Sequence, residues 1–338
     1  MDSLISHTVD SHTTDSHTTD TFGSRLAFPT IVTAFMSQIN ARGDRPVQKY
    51  IDLGKALLSL HIRQIVFIER YIYETYLRNE YRGLGVGDFG IRFFTHGGHA
   101  YEYVVLGHLT FVFFERTDMY LEQYREMATE FSLNTPHPSK DTLDYMFVQC
   151  HKTEWVAMAI SLDNNNNNNN AEDREDDIYA WLDFGIRHMY PSVMAFDMAI
   201  YGLRDRLTRR THGSIGTITY EGKPSPVIPR TPQRRYGVLT RSSGVVYAPS
   251  CWSPEKQYTQ DVYREIFWVF SGSAFGGCTK ALLEFARRTK TKCIDILTTR
   301  RRLMWEVNVW YLVYRDCPGL FSLFYGNHNA DIVTNWKL

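Results

Sequence analysis

An aspartate follows directly after a short apolar run near the middle of the chain. The run is 179–182, and Asp183, Phe184 and Gly185 come next. Such a run predicts a buried strand, so the carboxylate would emerge at the strand end where open α/β sheets bind ligands. There it could hold a divalent ion that neutralises a sugar diphosphate. The alternative is an aspartate that caps the following turn, and position alone does not choose between the two.

Two other segments follow apolar runs and could contact a phosphate-bearing ligand. Residues 40–45 follow the first run, and Arg42 there could reach a base, ribose or phosphate. Residues 271–277 include Gly276 and Gly277, and glycines let backbone N–H groups approach an oxygen-rich ligand closely. No Gly-Lys-Ser/Thr follows as in a P-loop, so this segment is either a ligand loop or a tight turn.

An acid beside an aromatic ring and a late histidine complete the candidate residues. Trp305 and Glu306 follow three arginines at 300–302. The arginines alone indicate a solvated face, but an aromatic ring beside a carboxylate can hold a sugar by stacking and by hydroxyl hydrogen bonds. His328 lies in a short polar turn after an aromatic run, where a lone histidine is either structural or a ligand.

The elements that must position these residues alternate between strands and helices. Short apolar runs predict buried strands at 30–35, 65–68, 104–114 and 179–182. Apolar residues at helical spacing predict helices at 47–60, 120–131 and 143–160. Strands that alternate with helices predict an α/β fold, here a mainly parallel sheet flanked by helices.

The last third of the chain has a different pattern. Residues 213–249 are rich in Gly, Pro, Thr and Arg with short β-like pieces, and 265–270 predicts a strand. Residues 280–288 predict a helix, whereas the aromatic run 305–314 fits either a helix or a strand. No linker divides 26–338, so we expect a single domain with an elaborated C-terminal half.

Two low-complexity segments interrupt this pattern. Within residues 1–25 a five-residue repeat, Asp-Ser-His-Thr-Thr, contains no apolar residue, which predicts a disordered tail. Residues 163–177 contain a run of asparagines followed by acidic residues. They predict a surface insertion, because lengthening a loop costs little closure entropy.

Composition and charge exclude several classes of protein. The chain has 338 residues, 43% of them hydrophobic, and a formal net charge of zero, so no global field would attract nucleic acid or a membrane surface. Its longest apolar run is about half of the roughly 20 residues that a transmembrane helix needs, and no secretory signal is evident. Five cysteines without a Cys-x-x-Cys pair fit a reducing compartment. We expect a soluble, cytoplasmic protein.

In this order, the segments resemble the bacterial HtrL/YibB/WlaTC family. The resemblance begins with Thr-Ile-Val-Thr-Ala-Phe at 30–35 and Ile-Val-Phe-Ile-Glu at 65–69. It then includes His-Lys-Thr-Glu-Trp-Val, Trp-Leu-Asp-Phe-Gly-Ile, Phe-Gly-Gly, Arg-Arg-Leu-Met-Trp-Glu-Val-Asn-Val-Trp and Tyr-Gly-Asn-His-Asn, which start at 151, 181, 275, 301 and 325. It covers about 28–333 apart from the asparagine insertion. The family is linked to surface-glycan loci and looks like a divergent group of GT-A glycosyltransferases.

The resemblance implies roles for individual residues. Lys152 would lie on the nucleotide side, and Asp183 would stand at the motif that binds a metal and the diphosphate. The glycines at 276–277 would shape the acceptor side. Glu306 would contact the transferred sugar or act as base, and His328 would complete the metal site.

The sequence departs from the family pattern at the metal motif. Gly185 stands where an Asp-x-Asp motif has its second aspartate. Either Asp183 and His328 hold Mn²⁺ or Mg²⁺, or metal dependence is weak and Arg or Lys neutralises the diphosphate.

We therefore expect an enzyme that transfers a sugar from a nucleotide-sugar donor to a glycan or protein acceptor in glycan biosynthesis. The alternative is a catalytically inactive glycan- or nucleotide-binding module on the same fold. A nucleotidyltransferase would need more phosphate-binding basic residues after the first strand.

Overall fold

Nine strands pair into one mixed sheet in the computed structural model, which describes residues 28–37, 46–84, 90–128, 140–166, 177–208, 244–253 and 261–336. The strands are β1 (Thr30–Phe35), β2 (Gln64–Ile68), β3 (Arg92–His96), β4 (His99–Leu106), β5 (Leu109–Phe113), β6 (Ile178–Leu182), β7 (Val246–Ser250), β8 (Ala274–Cys278) and β9 (Phe321–Tyr325). Their spatial order is β3-β4-β5-β2-β1-β6-β8-β7-β9.

The parallel part of the sheet lies at its centre. Strands β5, β2, β1 and β6 run parallel to one another, and so do β7 and β9. The β3-β4-β5 edge and the β6-β8-β7 segment are antiparallel. The carboxyl ends of β1 and β6 therefore lie side by side, which brings the residues that follow them together.

Helices cover both faces of this sheet. They are α1 (Val47–Leu58), α2 (Arg70–Ile72), α3 (Arg78–Tyr81), α4 (Leu143–Asn166), α5 (Val193–Thr208), α6 (Thr279–Arg300), α7 (Glu306–Asp316) and α8 (Asp331–Thr334). A π-helical turn, Tyr73–Leu77, joins α2 to α3. The predicted α/β class with flanking helices is confirmed. None of the described helices is both long enough and apolar enough to cross a bilayer.

Alternating residues of the strands build a core on each face. Val32 and Trp181 pack on the face that carries Trp155 of α4 and Trp310 of α7. Their strand neighbours point to the opposite face, as a pleated strand requires; Leu182, for example, packs with residues of α1, α5 and α8. Both faces are thus apolar, which explains why the central strands are apolar runs without polar alternation.

Most predicted elements are confirmed, with shifted ends. Strand 30–35 is found with the same bounds, and strands 65–68 and 179–182 are each one residue longer. Helices 47–60, 143–160 and 280–288 correspond to α1, α4 and α6, and the ambiguous run 305–314 is helical, as α7. Of the helix predicted at 120–131, the structure shows a 3₁₀ helix, Glu122–Met127.

The prediction of one strand at 104–114 is wrong. Gly107 has φ +60° and turns the chain back, so the run is divided between β4 and β5, which pair antiparallel. A positive φ is readily adopted by glycine, and this residue is the signal for the turn.

The prediction of a strand at 265–270 is also wrong, because a side chain replaces the strand partner. The amide N–H of Phe267 donates to Asn308 Oδ1 (2.8 Å), and Asn308 Nδ2 donates to the carbonyls of Val262 and Glu265 (2.6 Å each). The segment folds as turns around this buried amide of α7.

Several expectations concern residues outside the described part of the chain. They are the tail 1–25, the loop 40–45 with Arg42, most of the insertion 163–177, and 213–243 within the Gly- and Pro-rich segment.

Gly276 allows a close approach of β8 to β6, and its substitution tests this packing. A Cβ there would lie 2.8 Å from the Tyr179 carbonyl oxygen and 3.0 Å from the Trp336 ring. Gly276→Ala is expected to lower the free energy of unfolding by about 1–3 kcal/mol, as measured by urea denaturation. Gly319→Ala is the matched control, since a Cβ there meets nothing within 4 Å. Equal effects of the two substitutions would contradict the close approach.

Candidate functional site

A cavity of about 370 Å³ lies at the carboxyl ends of the central parallel strands. Its lining includes Phe35 from β1, Asp183 after β6, residues 271–273 before β8, and Glu306 at the start of α7. Ligands of open α/β sheets bind at this edge, and the volume falls within the range of small-molecule sites, about 300–1,000 Å³.

Three charged side chains meet in this cavity. Lys152 comes from α4, Asp183 from the residue after β6, and Glu306 from the first residue of α7. Lys152 and Glu306 are each only 3% exposed, whereas the Asp183 side chain is 35% exposed. The three residues predicted from the sequence, Lys152, Asp183 and Glu306, are therefore neighbours in space, although Lys152 and Glu306 are far apart in the sequence.

The Lys152 ammonium holds this group together. Its Nζ lies 3.0 Å from Asp183 Oδ1 and 3.2 Å from Glu306 Oε1, and it donates to the Gly272 carbonyl oxygen at 2.8 Å. An ammonium has three N–H donors, so these three oxygens use all of them. Burial, the largest single effect, lowers the pKa of Lys152, but Asp183 and Glu306 together outweigh it and the pKa is raised.

The surrounding chain fixes the two carboxylates. Trp181 Nε1 donates to Asp183 Oδ1 at 2.9 Å, as a strand permits because residues two apart share a face. The Asp183 amide donates to the Ser273 carbonyl oxygen (2.9 Å). Gly272 leaves room for Glu306, since a Cβ at that position would lie 2.0 Å from Glu306 Oε1. The α7 N-terminus also favours a negative charge there.

One carboxylate oxygen of the cluster is left unsatisfied. Glu306 Oε2 is buried and has no hydrogen-bond partner among the described residues, and the same holds for Trp155 Nε1 in the cavity lining. Leaving a buried polar atom unpaired costs about 1–3 kcal/mol. A ligand that donates to Glu306 Oε2 would remove that cost.

Aromatic rings form two walls of the cavity. The phenyl wall consists of Phe35, Tyr50 and Phe184; the Phe35 and Phe184 rings are stacked at 5.2 Å with an interplanar angle of 20°.

The indole wall consists of Tyr145, Trp268 and Trp305. Its two indoles meet at 5.7 Å and 78°, so this wall is a corner, whereas the phenyl wall is a stack.

His328, which the resemblance assigns to a metal site, lines the same cavity and packs edge-on against Trp268 at 4.4 Å. Its pKa is lowered, first by burial and then by the charge of Lys140, so the neutral ring is favoured.

The described residues do not form a metal centre at Asp183 from protein ligands alone. Among them no group of three or more His, Cys, Asp or Glu side chains could hold a metal, and the Lys152 ammonium already occupies Asp183 Oδ1. A cation bound to that oxygen would be repelled by the ammonium.

The other predicted residues lie elsewhere. Gly276 and Gly277 are inside β8 and not among the residues that line the cavity, so the prediction of a turn there is wrong: the turn before β8 ends at Ser273. In the arginine run, Arg300 packs on the Tyr263 ring (3.9 Å) and Arg301 ends α6 with φ 52°. Arg42 lies outside the described residues.

Sequence reasoning missed Gly272 and Trp181, and of the indole wall it named Trp305 but not Tyr145 or Trp268. The spacing of Trp181 and Asp183 is a usable signal, because both lie on one face of the strand. Gly272 has no such signal, since its contact with Glu306 joins residues that are distant in the chain.

Comparison with known proteins identifies no family. No family model and no curated protein matches the sequence. Among solved structures, the crystal structure of mouse xyloside xylosyltransferase 1, apo form, matches with a TM-score of 0.34 and 8% identity over 88% of this chain and 84% of that chain. Similarity at this level supports no functional argument.

The contacts among Lys152, Asp183 and Glu306 predict that substitutions of these residues have strongly coupled effects on stability. Lys152→Met leaves Glu306 buried without a cation and is expected to destabilise the protein by about 3–5 kcal/mol. Lys152→Met combined with Glu306→Gln should lose at least about 1 kcal/mol less than the sum of the two single changes. Urea denaturation of all four proteins measures this, and additive losses would contradict the coupling.

His151, beside Lys152 on α4, predicts a pH-dependent stability. It is 1% exposed with neither ring nitrogen bonded within the described residues, and burial is the main cause that lowers its pKa to about 3. Below pH 6.5, the ordinary pKa of histidine, His151 therefore becomes protonated in the unfolded chain but stays neutral in the folded chain. As the pH is lowered, His151 should decrease the free energy of unfolding by up to about 1.4 kcal/mol per pH unit.

His151→Leu should remove that share of the slope in urea denaturation between pH 6.5 and 5. Glu154 does not titrate in this window: burial raises its pKa, but His96, His151 and Lys290 outweigh burial and lower it to about 2. Its stabilisation is thus lost only as the pH falls below about 4.5. An unchanged slope in His151→Leu would show that the histidine is protonated in the folded state.

Proposed function

We propose that this protein transfers a sugar from a nucleotide-sugar donor to a glycan or protein acceptor in the cavity. The observation that supports the proposal most is the pair of carboxylates, Asp183 and Glu306, held on one buried ammonium beside aromatic walls. The resemblance to the HtrL/YibB/WlaTC family points to the same activity and stays a prediction.

The chemistry of the cavity suits a carbohydrate. Sugar hydroxyls donate to carboxylate oxygens, and Glu306 Oε2 is buried without a partner among the described residues. The C–H face of a sugar ring packs against aromatic rings, and ligand pockets commonly combine such walls with few polar groups. Two carboxylates and one ammonium leave an excess of negative charge, which suits hydroxyl donors better than phosphate.

In the transfer, the anomeric carbon exchanges its bond to the diphosphate oxygen for a bond to the acceptor oxygen. The leaving diphosphate keeps the electron pair of the broken bond, and the acceptor hydroxyl must lose its proton. Glu306 Oε2 takes that proton as general base. Asp183 faces the positive charge that develops on the sugar ring, as carboxylates do in other glycosyl reactions.

Lys152 acts as a positioning residue in this mechanism, which differs from the role that the resemblance implies. Its three donors are directed to protein oxygens, so it holds the carboxylates and leaves no N–H for a nucleotide. Fixed groups lower the barrier because no reorganisation is needed during reaction.

The diphosphate needs positive charge from another part of the cavity. Among the described lining residues, Lys140 supplies an ammonium, whereas the neutral His328 ring can donate an N–H but adds no charge. Arg42 remains the sequence-based candidate. A divalent ion bound with the phosphates is the other alternative, and it would supply charge neutralisation for the leaving group.

A non-catalytic sugar- or nucleotide-binding module is the second candidate. One observation favours it: the hydrogen-bonding capacity of Lys152 is satisfied within the protein, as in a static binding site. It predicts tight donor binding without turnover.

Substitution of the two carboxylates tests the proposed function. With a panel of UDP- and GDP-sugars, assayed with and without Mn²⁺ or Mg²⁺, Glu306→Gln and Asp183→Asn should each lower turnover by about 100-fold or more. Calorimetry checks that both variants still bind the donor.

Glu284→Gln is the control, because this carboxylate is paired with Arg287 and Arg288 on α6 and lies outside the cavity lining; its turnover should not change. Unchanged turnover in both cavity variants would show that the site is wrongly assigned. Donor binding by the unmodified protein without any turnover would favour the module.

A further inference from the structure

The two aromatic walls offer different surfaces to a ligand. In the phenyl wall Phe35 and Phe184 are 0% and 2% exposed and their rings stack on each other, so only Tyr50 of this wall is partly exposed. In the indole wall the rings of Trp268 and Trp305 stand at 78°. Two rings of the indole wall, Tyr145 and Trp268, are partly exposed.

Trp305 is the buried ring of the indole wall, and the other two rings pack against it. It is 4% exposed, and its Nε1 donates to Asp141 Oδ1 at 2.9 Å. Its ring lies 5.6 Å from Tyr145 and packs edge-to-face with Trp268, both of which are partly exposed. Tyr145 and Trp268 are therefore the ring surfaces of this wall that a ligand can reach, held in place by a buried neighbour.

Polar side chains line the same cavity as the indole wall. Gln149, Ser271 and Ser273 line the same cavity, and the two serine hydroxyls are hydrogen-bonded at 3.0 Å. Trp305 directly precedes Glu306. A sugar ring on the indole wall would thus have hydroxyls close to the carboxylate that lacks a partner.

We infer that the indole wall is the subsite for the acceptor sugar and that the donor nucleotide binds elsewhere in the cavity. The inference rests on the proposed function and deepens it, because it names the acceptor class: a glycan whose terminal ring stacks on Trp268. A protein acceptor presenting a serine or threonine hydroxyl would have no ring for this wall.

Trp268→Ala tests the subsite directly. Calorimetry is run with a panel of oligosaccharides of hexose, N-acetylhexosamine and uronic acid, and separately with UDP and GDP. Loss of the indole should weaken oligosaccharide binding about tenfold or more, a typical effect for a buried aromatic anchor. Nucleotide affinity should change by less than about twofold, and Trp268→Phe should recover part of the oligosaccharide affinity.

Tyr71→Ala is the matched control: Tyr71 is 64% exposed and lies outside the cavity lining, so both affinities should stay unchanged. A thermal melt shows whether Trp268→Ala is folded. If it is not, oligosaccharide affinity is compared between Trp268→Phe, which keeps an aromatic ring, and Trp268→Leu, which does not.

Three outcomes would overturn the inference. In the first, Trp268→Ala binds oligosaccharides as tightly as the unmodified protein does. In the second, Trp268→Ala loses affinity for nucleotides and keeps its affinity for oligosaccharides. In the third, the unmodified protein binds no oligosaccharide. Failure of the proposed function looks different. Oligosaccharides would then bind in a Trp268-dependent manner while no donor sugar is ever transferred or hydrolysed.

Discussion

The site depends on one buried cation. An isolated ammonium inside a protein costs several kcal/mol, and Lys152 avoids that cost through Asp183, Glu306 and the Gly272 carbonyl. Asp183 follows β6, Glu306 begins α7, and Gly272 lies in the segment before β8. The same contact that stabilises the lysine therefore sets the distance between α4, the sheet and α7, and with it the shape of the cavity.

This arrangement distributes the tasks of a transfer reaction over different parts of the cavity. The carboxylates are held by Lys152, and their excess negative charge faces the reacting sugar. The phosphates must then be neutralised by a group outside the cluster, such as Lys140 in the lining. The glycine at the second position of the metal motif, Gly185, agrees with this division, because the cation beside Asp183 belongs to the protein.

The sequence could predict the elements whose signals are local. Runs such as 30–35 are buried on both faces and read as strands, and Asp183 stands directly at the end of one. It could not predict features that depend on distant partners. The turns at 265–270 exist because Asn308 supplies the hydrogen bonds of a missing strand. Likewise, Lys152 was found only through a family resemblance and Glu306 only through the adjacent Trp305, since nothing local links either residue to Asp183.

The most direct measurement is a structure of the protein with an unhydrolysed nucleotide-sugar donor bound. The proposed mechanism requires that the sugar ring lies against Asp183 and Glu306, that a sugar or acceptor hydroxyl donates to Glu306 Oε2, and that Lys152 keeps its three protein oxygens. A donor whose diphosphate contacts Lys152, or whose sugar lies away from both carboxylates, would contradict it.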